Sequence, residues 1–170
     1  MSRKGYGENL FRRLRDSSKD FVLNQPRYRK AQILVADHNF GCGSSREHAV
    51  WALTDWGFKI VIAKSFADIF SGNSAKNGLL LIALPEATVE HFQREAAESL
   101  ELTVDLERQE VRDNRGEVHL FDYDPFRKHC LLQGVDDLDY ILSRKAQIDV
   151  FRKGQTTYVS TVPVMPGVRS

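Results

Sequence analysis

An α/β fold, with a mixed sheet flanked by helices, is predicted by three features of the sequence. Short, continuous apolar runs occupy residues 31–36 ("AQILVA"), 58–63 ("FKIVIA") and 79–84 ("LLLIAL"). Each has the length and composition of a buried strand. Segments with helical spacing separate them, and an alternating pattern from Leu102 onward adds an antiparallel pair.

Each element has its own signal. Ala49, Ala52, Leu53 and Trp56 fall at i, i+3, i+4 and i+7, so a helix is expected over residues 46–56, stopped by Gly57. Ser65, with Asp68 three residues on, marks a helix start for "SFADIF". Pro85 and Glu86 open a further helix that turns Val89, Phe92 and Ala96 to one side. Leu102, Val104 and Leu106 alternate with polar residues, "RDNRG" reads as a turn, and Val118, Leu120 and Phe121 form the return strand. Two helices follow. One spans residues 125–132 and stops at Gly134; the other carries Leu138, Ile141, Leu142 and Ile148. One domain is expected over residues 1–152, and residues 153–170 lose periodicity and read as a tail.

Composition narrows the functional classes. With 170 residues, 42% of them apolar, the chain can bury a substantial core. Lys and Arg number 24 against 23 Asp and Glu, so no bulk field draws it to nucleic acid or an anionic membrane, and any anion site must be local. Two cysteines, Cys42 and Cys130, make neither a disulfide framework nor a zinc spacing, which points to a reducing, cytoplasmic setting with no metal held by this chain. The longest apolar run is far short of the roughly 20 residues a membrane span needs.

The segment "HNFGCGSSREHAVWAL", residues 38–53, directly follows the first strand, where ligands of open α/β sheets collect. Gly41 and Gly43 could simply make a tight turn, with Ser44 and Glu47 spaced as a capping box. Three features point beyond that reading. Helix-terminal amides attract anions; glycines let a ligand approach the backbone; and Arg46 has the wrong sign for a helix N-terminus but suits bidentate binding of a carboxylate or phosphate. Neither standard phosphate motif is present, since no Lys follows the glycines and Arg46 stands where a third glycine would be.

The stretch "NFGCGSSREHAVWALTDWGFKIVIAKSFADIFSGNSAKNGLLLIAL" closely resembles the swivel domain of the aconitase superfamily. It resembles most of all the small subunits of bacterial 3-isopropylmalate dehydratases, with "GYGENLF" and "HCLLQGVDDLDYIL" as further matching blocks. The resemblance implies a hydro-lyase subunit that moves a hydroxyl by dehydration and rehydration, interconverting 2-isopropylmalate and 3-isopropylmalate in leucine synthesis. A related hydro-lyase acting on homoaconitate or a substituted malate, or a non-catalytic anion-binding module, would fit the same loop.

By that resemblance Ser44 is the catalytic base, Ser45 and Arg46 bind a carboxylate of a small dicarboxylate or tricarboxylate substrate, and Gly43 lets it approach. Arg3 and Lys4 lie at the end of the loop that selects the substrate side chain. A [4Fe-4S] cluster acts as Lewis acid in this family; it needs three or four thiolates, so it is expected on a separate large subunit, leaving this chain with no cofactor of its own. The family's swivel domain opens with a strand bearing an Asp-Thr-Asp motif, and the sequence starts after that position, so a sheet edge and an active-site acid are expected to be missing. Cys42 is expected to be a small, buried loop residue, His48 a packing or hydrogen-bonding residue, Lys64, Asn73 and Asn77 loop-shaping residues, and Trp51 and Trp56 core or subunit contacts. The run "RRLRDSSKD" reads as a solvated face that could also meet an acidic partner.

Overall fold

The computed structural model describes residues 4–155. The chain divides into two compact units, ending at Asp136 and beginning at Asp137, and each is described by itself.

In the first unit, β1 (Ile33–Val35), β2 (Ile60–Ala63) and β3 (Leu80–Ala83) form a parallel sheet in the order β1-β2-β3. Ile33, Leu34 and Val35 pair with Ile60, Val61 and Ile62, and β2 pairs in turn with β3 from Leu80 to Ala83. All three apolar runs are therefore strands, trimmed at their ends, and the flanking Phe58, Leu79 and Leu84 are buried. The connecting helices are α2 (His48–Trp56), α3 (Asp68–Lys76) and α4 (Glu86–Glu95); a short α1 (Arg12–Ser17) precedes the sheet.

Two apolar clusters hold this unit together. One gathers Leu10, Leu23, Val50, Leu53, Phe58, Val61, Phe70 and Leu79 around α2 and α3. The other joins Ile62, Leu80, Ile82, Val89 and Phe92 to Val111 and Phe121. Each such fully buried side chain contributes about 1.5–3 kcal/mol, which is why Val89 and Phe92, the expected inner face of α4, are wholly enclosed.

The C-terminal part of the first unit contains one strand more than expected. β4 (Leu102–Asp105), β5 (Glu110–Asp113) and β6 (Val118–Leu120) form an antiparallel sheet. Arg112 and Asp113, read from sequence as part of the "RDNRG" turn, belong to β5. The chain reverses before them at Gln109, which takes φ 57°, and again at Gly116, φ 89°. Only Val111 in β5 is apolar, so the strand has no alternating signature; it is fixed by Val111 pairing with His119 and packing into the second cluster. The parallel and antiparallel strands thus form two sheets that meet through side chains, because short turns let β4, β5 and β6 pair with one another first.

Helix α5 (Pro125–Gln133) follows as expected, with Asp124 accepting from the Arg127 amide at 2.9 Å and Gly134 closing it at φ 65°. α1 buries no residue, yet Arg15 is half-buried with its guanidinium over Trp56, 4.8 Å from the ring centre, so the basic run is not wholly a solvated face.

The second unit contains α6 (Asp137–Ser143) and α7 (Lys145–Gly154), two helices where the sequence suggested one. The break falls at Arg144, whose side chain stacks on Tyr140. Leu138, Ile141, Leu142, Val150 and Phe151 are exposed. Most of the expected tail lies outside the described residues. No helix among the described residues is long and apolar enough to cross a membrane.

Candidate active site

The Gly-Ser loop leaves the carboxyl end of β1 and is held there by its own backbone. The Asn39 amide donates to Ser65 Oγ at 2.8 Å and the Phe40 amide to the Ser65 carbonyl at 3.0 Å, while the Phe40 carbonyl accepts from the Ala67 amide at 3.0 Å. Ser65 therefore anchors the loop, and the helix expected to start at Ser65 starts at Asp68 without a side-chain cap. Gly41, at φ 89°, lies flat against Phe70. A Cβ at Gly43 would meet nothing within 4 Å, so that glycine leaves open space beside the backbone.

Ser44 and Glu47 do not form the expected capping box. The helix begins at His48, with Glu47 as its cap residue and no side-chain cap bond. Instead Ser44 Oγ accepts from the Arg46 amide at 3.3 Å. A two-residue turn satisfies the hydroxyl locally, which delays the helix by two residues. The hydroxyl thus accepts one backbone amide at the loop and does not cap the helix.

Gly43 and Ser44 line a cavity of about 610 Å³ together with Tyr6, Leu10, Phe40, His48 and Phe70, among others. That volume suits a small-molecule ligand, and the apolar wall with a few polar groups is the usual composition of such a site. Ser45 and Arg46 are exposed on the same loop, outside the cavity wall. Lys4 is exposed and also outside it, and Arg3 lies outside the described residues.

Several residues act in support. The Asn73 side-chain amide donates to the Ser45 carbonyl at 3.4 Å, and that of Asn77 accepts from Trp51 Nε1 at 2.8 Å, so both asparagines shape the loop and its helix as expected. His48 packs between Tyr6 and Trp51, with ring centres 5.1 Å and 4.8 Å away. Asp55 fixes the Tyr6 segment, its Oδ2 accepting from the amides of Gly5 at 2.9 Å and Gly7 at 2.8 Å.

Sequence reasoning gave Lys64 too small a role. Its side chain, 6% exposed, reaches Glu86 at 2.9 Å, Glu90 at 3.0 Å and Asp37 at 3.1 Å, where β1, β2 and α4 converge beside the loop. The Glu86 hydrogen bond, with those to Glu90 and Asp37, outweighs burial and pushes the Lys64 pKa up, so it stays an ammonium. Asp37 is held below the usual carboxylate value by the His38 amide and then by Lys64, and Glu86 by Lys64 and then His38. A lysine closing an apolar strand, as in "IVIAK", was the available signal.

The parallel sheet and the loop at its carboxyl end define a domain of the aconitase C-terminal type: residues 5–87 match the model of the aconitase C-terminal domain, and residues 92–125 match the LeuD_N model. A 3-isopropylmalate dehydratase small subunit of Ruegeria pomeroyi is 51% identical over 158 residues, covering 89% of this chain and 79% of that protein. The corresponding subunit of Francisella tularensis subsp. novicida is 48% identical over 155 residues, covering 91% and 82%. A solved structure of 3-isopropylmalate dehydratase (leuD) from Methanocaldococcus jannaschii is 33% identical, with a TM-score of 0.53, covering 72% of this chain and 68% of that one. The chain belongs to the family of 3-isopropylmalate dehydratase small subunits.

Proposed function

We propose that this chain works as the small subunit of a 3-isopropylmalate dehydratase, pairing in the cytoplasm with a large subunit to interconvert 2-isopropylmalate and 3-isopropylmalate in leucine synthesis. Relatives of about half identity carrying that name support the reading. The observation that carries it is the Ser44 oxygen on the cavity wall, receiving the Arg46 amide.

In this reading Ser44 takes the proton from the carbon next to a substrate carboxylate. Ser44 first gives up its hydroxyl proton to solvent, and the Arg46 amide and the nearby start of α2 stabilise the resulting alkoxide, which the substrate proton then restores to the alcohol. The exposed Arg46 guanidinium binds a carboxylate in fork geometry and Ser45 adds a hydrogen bond. The open space at Gly43 admits the substrate close to the backbone, and the resemblance assigns Lys4 and Arg3 to selection of its variable end. Leu10, Phe11, Ala49 and Leu53 in the wall suit a branched alkyl group better than a further carboxylate.

The residues of this chain do not fit the four-iron cluster of the family's chemistry. Its two cysteines are a loop thiol, Cys42, which is exposed where the sequence suggested a buried one, and a buried helix thiol, Cys130, too few for the set a cluster needs. The cluster belongs in this proposal to the large subunit.

The test is anaerobic reconstitution with a cluster-bearing large chain, followed by turnover of 2-isopropylmalate and of homoaconitate. The reading predicts a preference for 2-isopropylmalate of roughly 100-fold or more in kcat/KM. Preference for homoaconitate would make the chain part of a sibling hydro-lyase, and assembly without turnover of either would make it a scaffold.

A further inference from the structure

The antiparallel strands β5 and β6 carry a group of ligand-type side chains that the proposed reaction does not use. Asp113 and Glu117 continue the cross-strand register in which Val111 faces His119, and the Asp113 amide donates to the Glu117 carbonyl at 3.1 Å. Side chains two apart on a strand share a face, so Asp113, Glu117 and His119 all lie on the side of Val111. That is the side against α4, where Phe92 meets the His119 ring edge-on at 5.1 Å. His91 precedes Phe92 on that helix, and His91, Asp113 and Glu117 each bring a ligand atom within 4.8 Å of the others.

Turn formation accounts for only half of Asp113. Its Oδ1 accepts from the amides of Arg115 at 2.9 Å and Glu117 at 2.8 Å. Its Oδ2 is buried without a hydrogen-bond partner on a residue only 5% exposed. His119 Nε2 is likewise buried without a hydrogen bond, 3.8 Å from Glu117 Oε1. A buried carboxylate oxygen left unsatisfied beside His91 and Glu117 calls for a cation.

We propose that His91, Asp113 and Glu117 form a three-residue binding site, completed by water, for a divalent transition-metal cation of the Zn(II) type that ties the β5–β6 hairpin to α4. Imidazole nitrogen selects such metals over Ca(II) and Mg(II), which take all-oxygen shells. Ligand atoms around one tetrahedral zinc lie about 3.4 Å apart, so the group must tighten on binding. Glu117 is exposed, so its side chain has room to adjust towards the other two. The Glu95–Arg115 ion pair already docks the hairpin on α4, so the backbone need not move. The site is structural: it lies on the antiparallel sheet, and none of its residues lines the Ser44 cavity.

The test uses the full chain, freed of metal by chelation and titrated with Zn(II) against a chromophoric indicator, with Co(II) absorption as a check on coordination. Wild type is expected to take up one equivalent, to gain thermal stability with it, and to give the intense visible bands of four-coordinate Co(II). His91→Ala and Glu117→Gln each weaken binding at least tenfold and lose the thermal gain, whereas Cys42→Ser, which removes the exposed thiol, binds as wild type does. Both test positions are surface-accessible, and Glu117→Gln keeps the shape of the side chain, so folding is preserved. Absence of a bound equivalent, weakening below tenfold in either variant, or dependence on Cys42 would overturn the proposal.

Discussion

Gly41 and Phe70 are in such close contact that a Cβ on Gly41 would lie 2.2 Å from Phe70 Cγ. The loop that carries Ser44 is thereby seated on α3, and the positive φ of Gly41 excludes other residues a second time. Gly41→Ala is expected to destabilise the fold by about 2–4 kcal/mol, since both an overpacked contact and a strained backbone are introduced. Gly43→Ala, with open space around it, should change stability by less than about 0.5 kcal/mol. Chemical denaturation of both variants checks the contrast, and equal losses would contradict it.

Asp55 governs the Tyr6 side of the cavity through its two amide contacts with Gly5 and Gly7. Gly7 is also tightly seated, since a Cβ there would lie 3.0 Å from the Trp56 backbone nitrogen. Asp55→Ala removes two charge-assisted hydrogen bonds, together about 1–3 kcal/mol. Hydrogen exchange at Gly5 and Gly7 should accelerate at least roughly tenfold. KM should rise more than kcat falls, because Tyr6 shapes the cavity and not the proton transfer. Unchanged exchange would show that the segment is held elsewhere.

The Lys64 cluster makes stability depend on pH with a definite sign. Asp37 and Glu86 have folded pKa values below their ordinary 3.8 and 4.5, so their contribution is present above those values and is lost as pH falls through the folded ones. Lys64 is raised above 10.5, so its contribution is present below that value and is lost as pH rises toward the folded pKa. The window of full contribution therefore runs from about pH 5 to about pH 10. Lys64→Met should lower the unfolding midpoint by several degrees at pH 7 and by much less near pH 3. A gap of equal size at both pH values would contradict this account.

Much of the architecture was legible because long-range burial leaves a continuous apolar signature. The runs around Ile33, Val61 and Leu81 could only be enclosed strands, and Gly57 and Gly134 end helices as their φ values of 117° and 65° require. β5 was illegible for the opposite reason: its one apolar residue, Val111, is embedded among Glu110, Arg112 and Asp113, and strand pairing is what orders them. The capping box failed because Ser44 had a nearer donor in the Arg46 amide, a competition that spacing cannot resolve. The loop itself was visible from its glycines and serines. Its surroundings were not, since Tyr6, Leu10 and Phe70 are brought to the Ser44 cavity from distant parts of the chain. Lys64 shows the same limit: its three acidic partners come from two separate segments.

The most direct measurement is steady-state turnover of 2-isopropylmalate by the reconstituted pair carrying Ser44→Ala. If the Ser44 oxygen removes the proton, kcat falls by about 10²–10⁴-fold, while co-elution with the large chain and KM stay near wild type. A variant that assembles normally and turns over within about threefold of wild type would contradict the assignment of Ser44 as the base.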